Sequence, residues 1–318
     1  MISFDIVIVN WNSGEQLQEC VQSVLQADES NSLLKKIIIV DNASSDNSLE
    51  VLKEKSLQNI LIFENSENLG FGKACNQGAK SSTSDFILFL NPDMLLFEST
   101  FTNLFRTISI DKRDNIGIYG IQLLDEEHKI QKSCARFPSL WNFIVRALGL
   151  NKINPTIFQS YTMENWNHKS TLEVDQVIGA FFMIKRDLFE KLNGFDERFF
   201  VYYEELDLSK RISLLAYKTL YVSESQAYHK GGGTSESVKA KRLFYNTRSK
   251  LIYTFKHLGS FQGFLLLFIT YTIEPFSRMF FLLLRRKFRE IPDMLHGFIM
   301  LYRDTFNIML LIREKNES

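Results

Sequence analysis

Four short runs of β-formers, Phe4–Val9, Ile37–Val40, Ile60–Phe63 and Phe86–Leu90, recur along the N-terminal third of the chain, and each stops at a polar turn. The segments between them have helical spacing. Leu17, Val21, Val24 and Leu25 share one face of Gln16–Leu25, a second helix is expected to begin near Asn47, and a third covers Gly72–Lys80. This alternation leaves few folds open. Parallel strands in succession each need a crossover, and right-handed crossovers build a doubly wound α/β sheet. The runs are continuous rather than alternating, as strands buried on both faces require. The expected fold is therefore α/β and Rossmann-like, a mostly parallel sheet with helices on both faces.

The turns that end these strands carry the polar residues. In an open α/β sheet the carboxyl ends of the strands form the ligand crevice. Asn12 and its neighbours, Asp41 and Asp93 all fall there. Asn91-Pro92-Asp93 is an ordinary turn sequence by itself. Directly after the Phe86–Leu90 run it also suits a hard cation, Mg²⁺ or Mn²⁺, that takes oxygen ligands and keeps positions open for phosphate. There is no Gly-x-Gly-x-x-Gly after the first strand and no Gly-Lys-Ser/Thr, which argues against a dinucleotide fingerprint and a P-loop.

Two further clusters lie downstream. Tyr202-Tyr203-Glu204-Glu205-Leu206-Asp207 opens a helix expected to run to about Ala216. Carboxylates in a first turn complement the helix dipole, but crowded ones also rise in pKa, as a general base requires. His229 follows a short strand and precedes Gly231-Gly232-Gly233, and its imidazole is a candidate metal ligand. Residues 113–175 show no ordered pattern.

The remaining composition sets limits. Hydrophobic residues make up 45% of 318, and Lys+Arg equals Asp+Glu at 37 each, so no net charge points to nucleic acid. Cys20, Cys75 and Cys134 are scattered and read as reduced thiols, and the start lacks a basic region before an apolar stretch, so no signal peptide is expected. Past about residue 240 basic residues and long apolar runs take over. The expected division is a catalytic domain at 1–250 and a helical tail at 251–318. The tail's apolar runs, Phe261–Ile273 and Phe276–Leu284, are split by Glu274-Pro275 and followed by Arg285-Arg286-Lys287-Phe288-Arg289. Neither reaches the ~20 residues of a bilayer span. Amphipathic helices lying on an anionic membrane fit best, with helices packed on the catalytic domain or a re-entrant hairpin as alternatives.

The segments Phe4–Ser13, Ile39–Ser48, Asn65–Asn76, Phe89–Asp93, Gly179–Ile184, Gly194–Phe199, Tyr202–Asp207 and His229–Ser235 follow one another in an order that resembles glycosyltransferase family 2. These are inverting GT-A fold enzymes, and the likeness is to the bacterial rhamnosyltransferase-type branch. The resemblance implies that Asp41 meets a pyrimidine base, and that Asn10, Asn12 and Asn68 line the nucleotide pocket with Gly70 and Asn76 close by. It implies that Asn91 and Asp93 replace an Asp-x-Asp motif, with Asp93 and His229 on a divalent metal. Of the pair Glu204-Glu205, the second is the implied base. The implied substrates are a dTDP- or UDP-sugar donor and a saccharide or polyprenyl-linked acceptor for surface polysaccharide. The implied place is cytoplasmic, peripheral on the inner face of the cell membrane; a homo-oligomer is among the states it allows. A nucleotidyltransferase and a catalytically silent scaffold are the rival readings.

Overall fold

The computed structural model describes residues 2–28, 33–54, 59–231 and 238–313. The chain divides into two compact units, one of Met1–Arg136, Thr162–Glu197 and Glu204–Thr234, the other of Phe137–Tyr161, Arg198–Tyr203 and Ser235–Ser318.

The first unit is built on a nine-stranded sheet. Its strands are β1 (Phe4–Asn10), β2 (Leu34–Asp41), β3 (Ile60–Glu64), β4 (Phe86–Leu90), β5 (Met94–Leu96), β6 (Ile116–Leu124), β8 (Leu172–Val174), β10 (Phe181–Lys185) and β11 (Lys218–His229). β7 (Cys134–Ala135) and β9 (Gln176–Val177) form a separate two-stranded ladder. The order across the main sheet is β3-β2-β1-β4-β10-β6-β11-β5, with β8 also against β11. β1, β2, β3 and β4 pair in parallel, as their helical crossovers demand. β1, β4 and β6 are buried at every residue, so both faces of the sheet are covered.

Three features of the sheet differ from the sequence-based expectation. The central strand β10 runs antiparallel to both β4 and β6, because the chain reaches it from the β7–β9 ladder rather than through a crossover helix. β6, nine residues long, was not foreseen. Gly117 and Gly120 dilute its β-forming pattern, and both are there for space: a Cβ on either would stand 2.6 Å from Leu188 or Val177.

β11 is longer than expected and serves two partners on one edge. Its register with β6 breaks between Val222 and Gln226; Thr219–Tyr221 pair with β8 before the break and Ala227–His229 pair with β5 after it. The carbonyls released there are taken up by the helix Thr100–Ile110. Thr100 Oγ1 donates to the Gln226 carbonyl at 2.6 Å and Asn103 Nδ2 to that of Glu224 at 3.0 Å.

The second unit is helical. Lys239–His257 is its longest helix, followed by Ser260–Thr272, Glu274–Leu284, Ile291–Arg303 and Thr305–Arg313. The expected boundary at residue 250 falls inside the first of these. Residues 137–161, which showed no pattern, contribute Leu140–Ala147 and Leu150–Ile153 here. Phe143, Tyr203 and Tyr253 form an aromatic cluster with ring centroids 5.7–6.3 Å apart. Beside it Glu274 is buried, held by Lys250 Nζ at 2.6 Å and Arg278 Nη2 at 2.8 Å.

Gly120→Ala is expected to destabilise the protein by about 1–3 kcal/mol, the usual result of overpacking. Gly179→Ala, whose Cβ would meet its nearest neighbour at an ordinary 3.9 Å, should be close to neutral. Thermal unfolding of the two variants side by side checks the contrast.

Candidate active site

The carboxyl edge of the sheet gathers most of the residues singled out above. Asn10 ends β1 opposite Asp41 at the end of β2. Its Nδ2 donates to Asp41 Oδ1 at 2.6 Å and to Ser48 Oγ at 2.7 Å, while Ser13 Oγ donates to its Oδ1. Asn10 is wholly buried and acts as the brace of this corner. Asn12 adopts a left-handed backbone, φ 52°, and its Oδ1 accepts from the Ser45 amide at 2.7 Å. Asp41 Oδ2 accepts the Ser44 amide at 3.0 Å. Asn42, beside it, donates from Nδ2 to the Gly70 carbonyl at 3.1 Å and accepts from Asn65 at 3.0 Å, which fixes the loop before the helix Phe71–Ala79. Asn68 Oδ1 caps the Gly70 amide at 2.9 Å. Asn76 is turned elsewhere: its side-chain amide exchanges two hydrogen bonds with the backbone of Phe195, at 2.8 and 2.9 Å.

Asp93 and His229 meet because β5 begins one residue after Asp93 and pairs Met94 with His229. The Lys230 amide closes the pair on the Asp93 carbonyl at 3.2 Å. His229 Nε2 lies 3.6 Å from Asp93 Oδ2. The other ring nitrogen, Nδ1, is 2.8 Å from Gln131 Oε1, and Gln131 Nε2 donates to the His229 carbonyl at 2.7 Å. This clamp fixes the tautomer with the proton on Nδ1 and leaves the Nε2 lone pair facing Asp93. Burial pushes the imidazole pKa down, with Asp93 pulling the other way. Asp93 Oδ1 is buried without a hydrogen-bond partner among the described residues. An orphaned carboxylate oxygen beside a neutral imidazole suits a divalent cation. Among the described residues no third His, Cys, Asp or Glu joins them, so two protein ligands would leave the other positions open. The glycines from Gly232 to the end of that loop lie outside the described residues.

Glu204 and Glu205 start the helix Glu204–Leu214. The segment from β9 to β10 connects Glu205 to the Asn91–Asp93 turn. Gln176 Nε2 donates to Glu205 Oε1 at 3.3 Å; a Cβ on Gly179 would stand 4.0 Å from Glu205 Cδ and 3.9 Å from Phe71; and the carbonyl of Ala180 accepts the Asn91 amide at 3.0 Å. Strand ends, the Asp93–His229 pair and the glutamates thus belong to one edge. Burial raises the pKa of both glutamates, and for Glu204 the nearby Glu205 and Asp207 raise it further. No cation compensates either, and Glu204 Oε2 and Glu205 Oε2 have no hydrogen-bond partner among the described residues. Glu205 is the more accessible of the two. Asp207 has a different role. It receives Arg211 Nε at 2.8 Å, and Arg211 in turn donates to the carbonyls of Leu192 and Gly194, tying the helix to the turn before it.

Sequence reasoning missed Gln131 and Gln176. Both lie in stretches without a periodic signal, and only the long-range pairing of strands identifies their partners.

A buried carboxyl with a raised folded pKa retains its proton when the unfolded chain has released it. Stability therefore falls as pH rises from the ordinary glutamate range through the raised value. Glu204→Gln should leave stability nearly unchanged at pH 5 and raise the melting temperature at pH 8, by about 2–4 °C for each kcal/mol recovered. A gain of equal size at both pH values would contradict the assignment.

The fold has counterparts among solved proteins. GalNAc-T7, crystallised with UDP, GalNAc and Mn²⁺, superposes with a TM-score of 0.57 at 18% identity, over 80% of this chain and 48% of that one. The mannosyltransferase PcManGT of Pyrobaculum calidifontis, in complex with GDP-Man and Mn²⁺, gives 0.53 at 13% identity over 99% of this chain and 79% of its own. The fold is GT-A. In sequence, rhamnosyltransferase WbbL of Escherichia coli (strain K12) is 27% identical over 266 residues, 80% of this chain and 92% of WbbL. N-acetylglucosaminyl-diphospho-decaprenol L-rhamnosyltransferase of Mycobacterium tuberculosis (strain ATCC 25618 / H37Rv) is 22% identical over 268 residues, 78% of this chain and 82% of the relative. Glycosyl transferase family 2 matches residues 5–193, more than half of the chain. This protein belongs to glycosyl transferase family 2.

Proposed function

We propose that this glycosyltransferase moves a sugar, rhamnose by the names of its relatives, from a pyrimidine nucleoside-diphosphate donor to a polyprenyl-linked saccharide, with inversion at the anomeric carbon. The observation that carries the reading is the edge itself: an orphaned Asp93 carboxylate beside His229, linked through Asn91 and Ala180 to an uncompensated Glu205. Asp41, braced by Asn10, and the loop held by Asn42 would receive the nucleotide. Asp93 and His229 would hold the divalent metal, which when bound offsets the charge of the departing diphosphate. Glu205 would take the proton of an acceptor hydroxyl while that oxygen attacks the anomeric carbon from the face opposite the diphosphate. Its raised pKa makes it a stronger base than an ordinary glutamate.

The acceptor argues for a place at a membrane. Among the described residues no single helix is long and apolar enough to cross one; Ser260–Thr272 and Glu274–Leu284 qualify only as a pair bent by 44°. Phe261, Phe264, Phe268, Phe276 and Phe280 on these helices are all exposed, and Arg285, Arg286, Lys287 and Arg289 follow at the surface. Rings with flanking cations suit the headgroup layer of the cytoplasmic leaflet, each charge contributing ~1 kcal/mol near anionic lipid.

Turnover of a panel of dTDP- and UDP-sugars with Mn²⁺ and a prenyl-diphosphate-linked saccharide tests the activity; no transfer from any donor would sink it. Glu205→Gln should lower kcat by roughly 10²–10⁴, and the acid limb of the wild-type profile should lie above the ordinary glutamate range. If Glu204→Gln is crippled and Glu205→Gln is not, the base is Glu204. Gln131→Leu, which leaves both metal-side residues in place, should weaken Mn²⁺ affinity in the presence of nucleotide about 10–100-fold, read by calorimetry. Vesicle binding should be lost at high salt; protein released only by detergent would point to an inserted hairpin.

A further inference from the structure

A cavity of about 320 Å³ opens in the helical unit, away from the edge that carries Asp93 and Glu205 and beside the basic run that begins at Arg285. Lys152, Lys239, Arg278, Arg285 and Lys287 line it, against two carboxylates, Glu290 and Asp293. The carboxylates do not balance the cations. Glu290 is shared by Lys239 at 3.8 Å and Lys287 at 3.2 Å, and Arg278 is held by the buried Glu274. Lys152 and Arg285 have no carboxylate partner among the described residues.

The chain is shaped to keep Lys152 in this crowd. Gly149, at φ +69°, precedes the short turn Leu150–Ile153, and a Cβ there would stand 2.2 Å from the ring of Phe281. That close approach lets the turn rest on Phe281 and sets the Lys152 ammonium 5.1 Å from the ring centroid. Burial and the neighbouring Arg278, Arg285, Arg146 and Lys287 lower the pKa of Lys152. A cationic pocket that repels its own members is stabilised by an anion with several acceptor oxygens.

The surroundings of the pocket are apolar. Phe281 and Met294 form part of its lining, while Leu284 and Phe288, adjoining Arg285 and Lys287 in sequence, are 66% and 58% exposed. A free phosphate would gain nothing from such a rim; a phosphate on a hydrocarbon chain would.

We propose that this pocket binds the phosphoryl headgroup of an anionic amphiphile, seating the phosphate among Lys152, Arg285 and their neighbours with the chain along the exposed apolar rim. The choice of a lipid ligand rests on the membrane-side reading of the second unit given above; two sources share the chemistry, the diphosphate of a prenyl-linked acceptor and the headgroup of a bulk anionic lipid.

The test uses the full chain in EDTA, so that binding through the metal-side pair is suppressed. Farnesyl diphosphate and inorganic pyrophosphate are titrated by calorimetry, and co-sedimentation is measured with phosphatidylcholine vesicles with and without phosphatidylglycerol. The pocket variant is Lys152→Ala/Arg285→Ala. The control is Lys241→Ala/Arg242→Ala, which removes the same charge from exposed positions of the same unit. Farnesyl diphosphate should bind more tightly than pyrophosphate and lose about tenfold or more in affinity in the pocket variant, as expected for lost bonds between charged groups. The control should bind as wild type. A loss confined to farnesyl diphosphate identifies the acceptor-type diphosphate, and an equal loss on phosphatidylglycerol vesicles identifies the bulk headgroup. Unchanged binding by the pocket variant, an equal loss in the control, or equal affinity for pyrophosphate overturns the proposal. Donor turnover with Mn²⁺, measured on the same proteins, separates this failure from a failure of the glycosyltransferase reading.

Discussion

The antiparallel pairing of β10 with β4, which begins where Phe181 faces Leu90, is the constraint from which the geometry of the edge follows. Because β10 starts where β4 stops, the residues before it lie across the mouth of the crevice. Ala180 then accepts the Asn91 amide, Gly179 lies beside Phe71 and Glu205, and Gln176 reaches Glu205. A parallel β10 would have put its approach segment at the opposite edge, leaving the Asn91–Asp93 turn and Glu205 without a common scaffold.

Three withdrawn carboxyl groups of this chain are driven in opposite directions by their neighbours. Glu274 is taken out of water yet held down at about 2, because Lys250 and Arg278 both contact it. Glu204 is buried and Glu205 nearly so, and among the described residues no cation meets either, so their affinity for a proton rises. Burial decides only that the charge matters; the company decides its sign. The first arrangement holds helices together, and the second stores the capacity to accept a proton.

The strands that open the edge were legible because burial on both faces writes itself as uninterrupted apolar runs, and β1, β2 and β4 follow that rule. So were the turns, since Asp41, Asn91, Asp93 and the Glu204–Glu205 pair sit at points where periodicity breaks. The GT-A fold and the family follow from the order of these segments. What did not show was set by distance in sequence. Gln131 is defined by a histidine almost a hundred positions later, and β6 hides behind glycines whose purpose is a neighbour's side chain. The pieces 137–161 and 198–203 belong with the C-terminal helices through packing alone, which is why a boundary drawn from composition fell inside a helix.

The break in β11 has a consequence for how this chain can vary. Between Val222 and Gln226 the strand changes its register on β6, and beyond the break each residue's facing depends on how many residues were crossed. Side chains alternate between faces, so one residue more or fewer would turn His229 away from Asp93 while β8 and the first half of β11 stayed paired. Ser223, Glu224 and Ser225 are therefore fixed in number, and Ser225 is fixed in kind as well, since its buried Oγ donates to the Thr100 carbonyl at 2.8 Å. Among related sequences this segment should keep its length strictly and a small hydroxyl at the place of Ser225, so that the count sets the facing of His229 and the hydroxyl holds the bend.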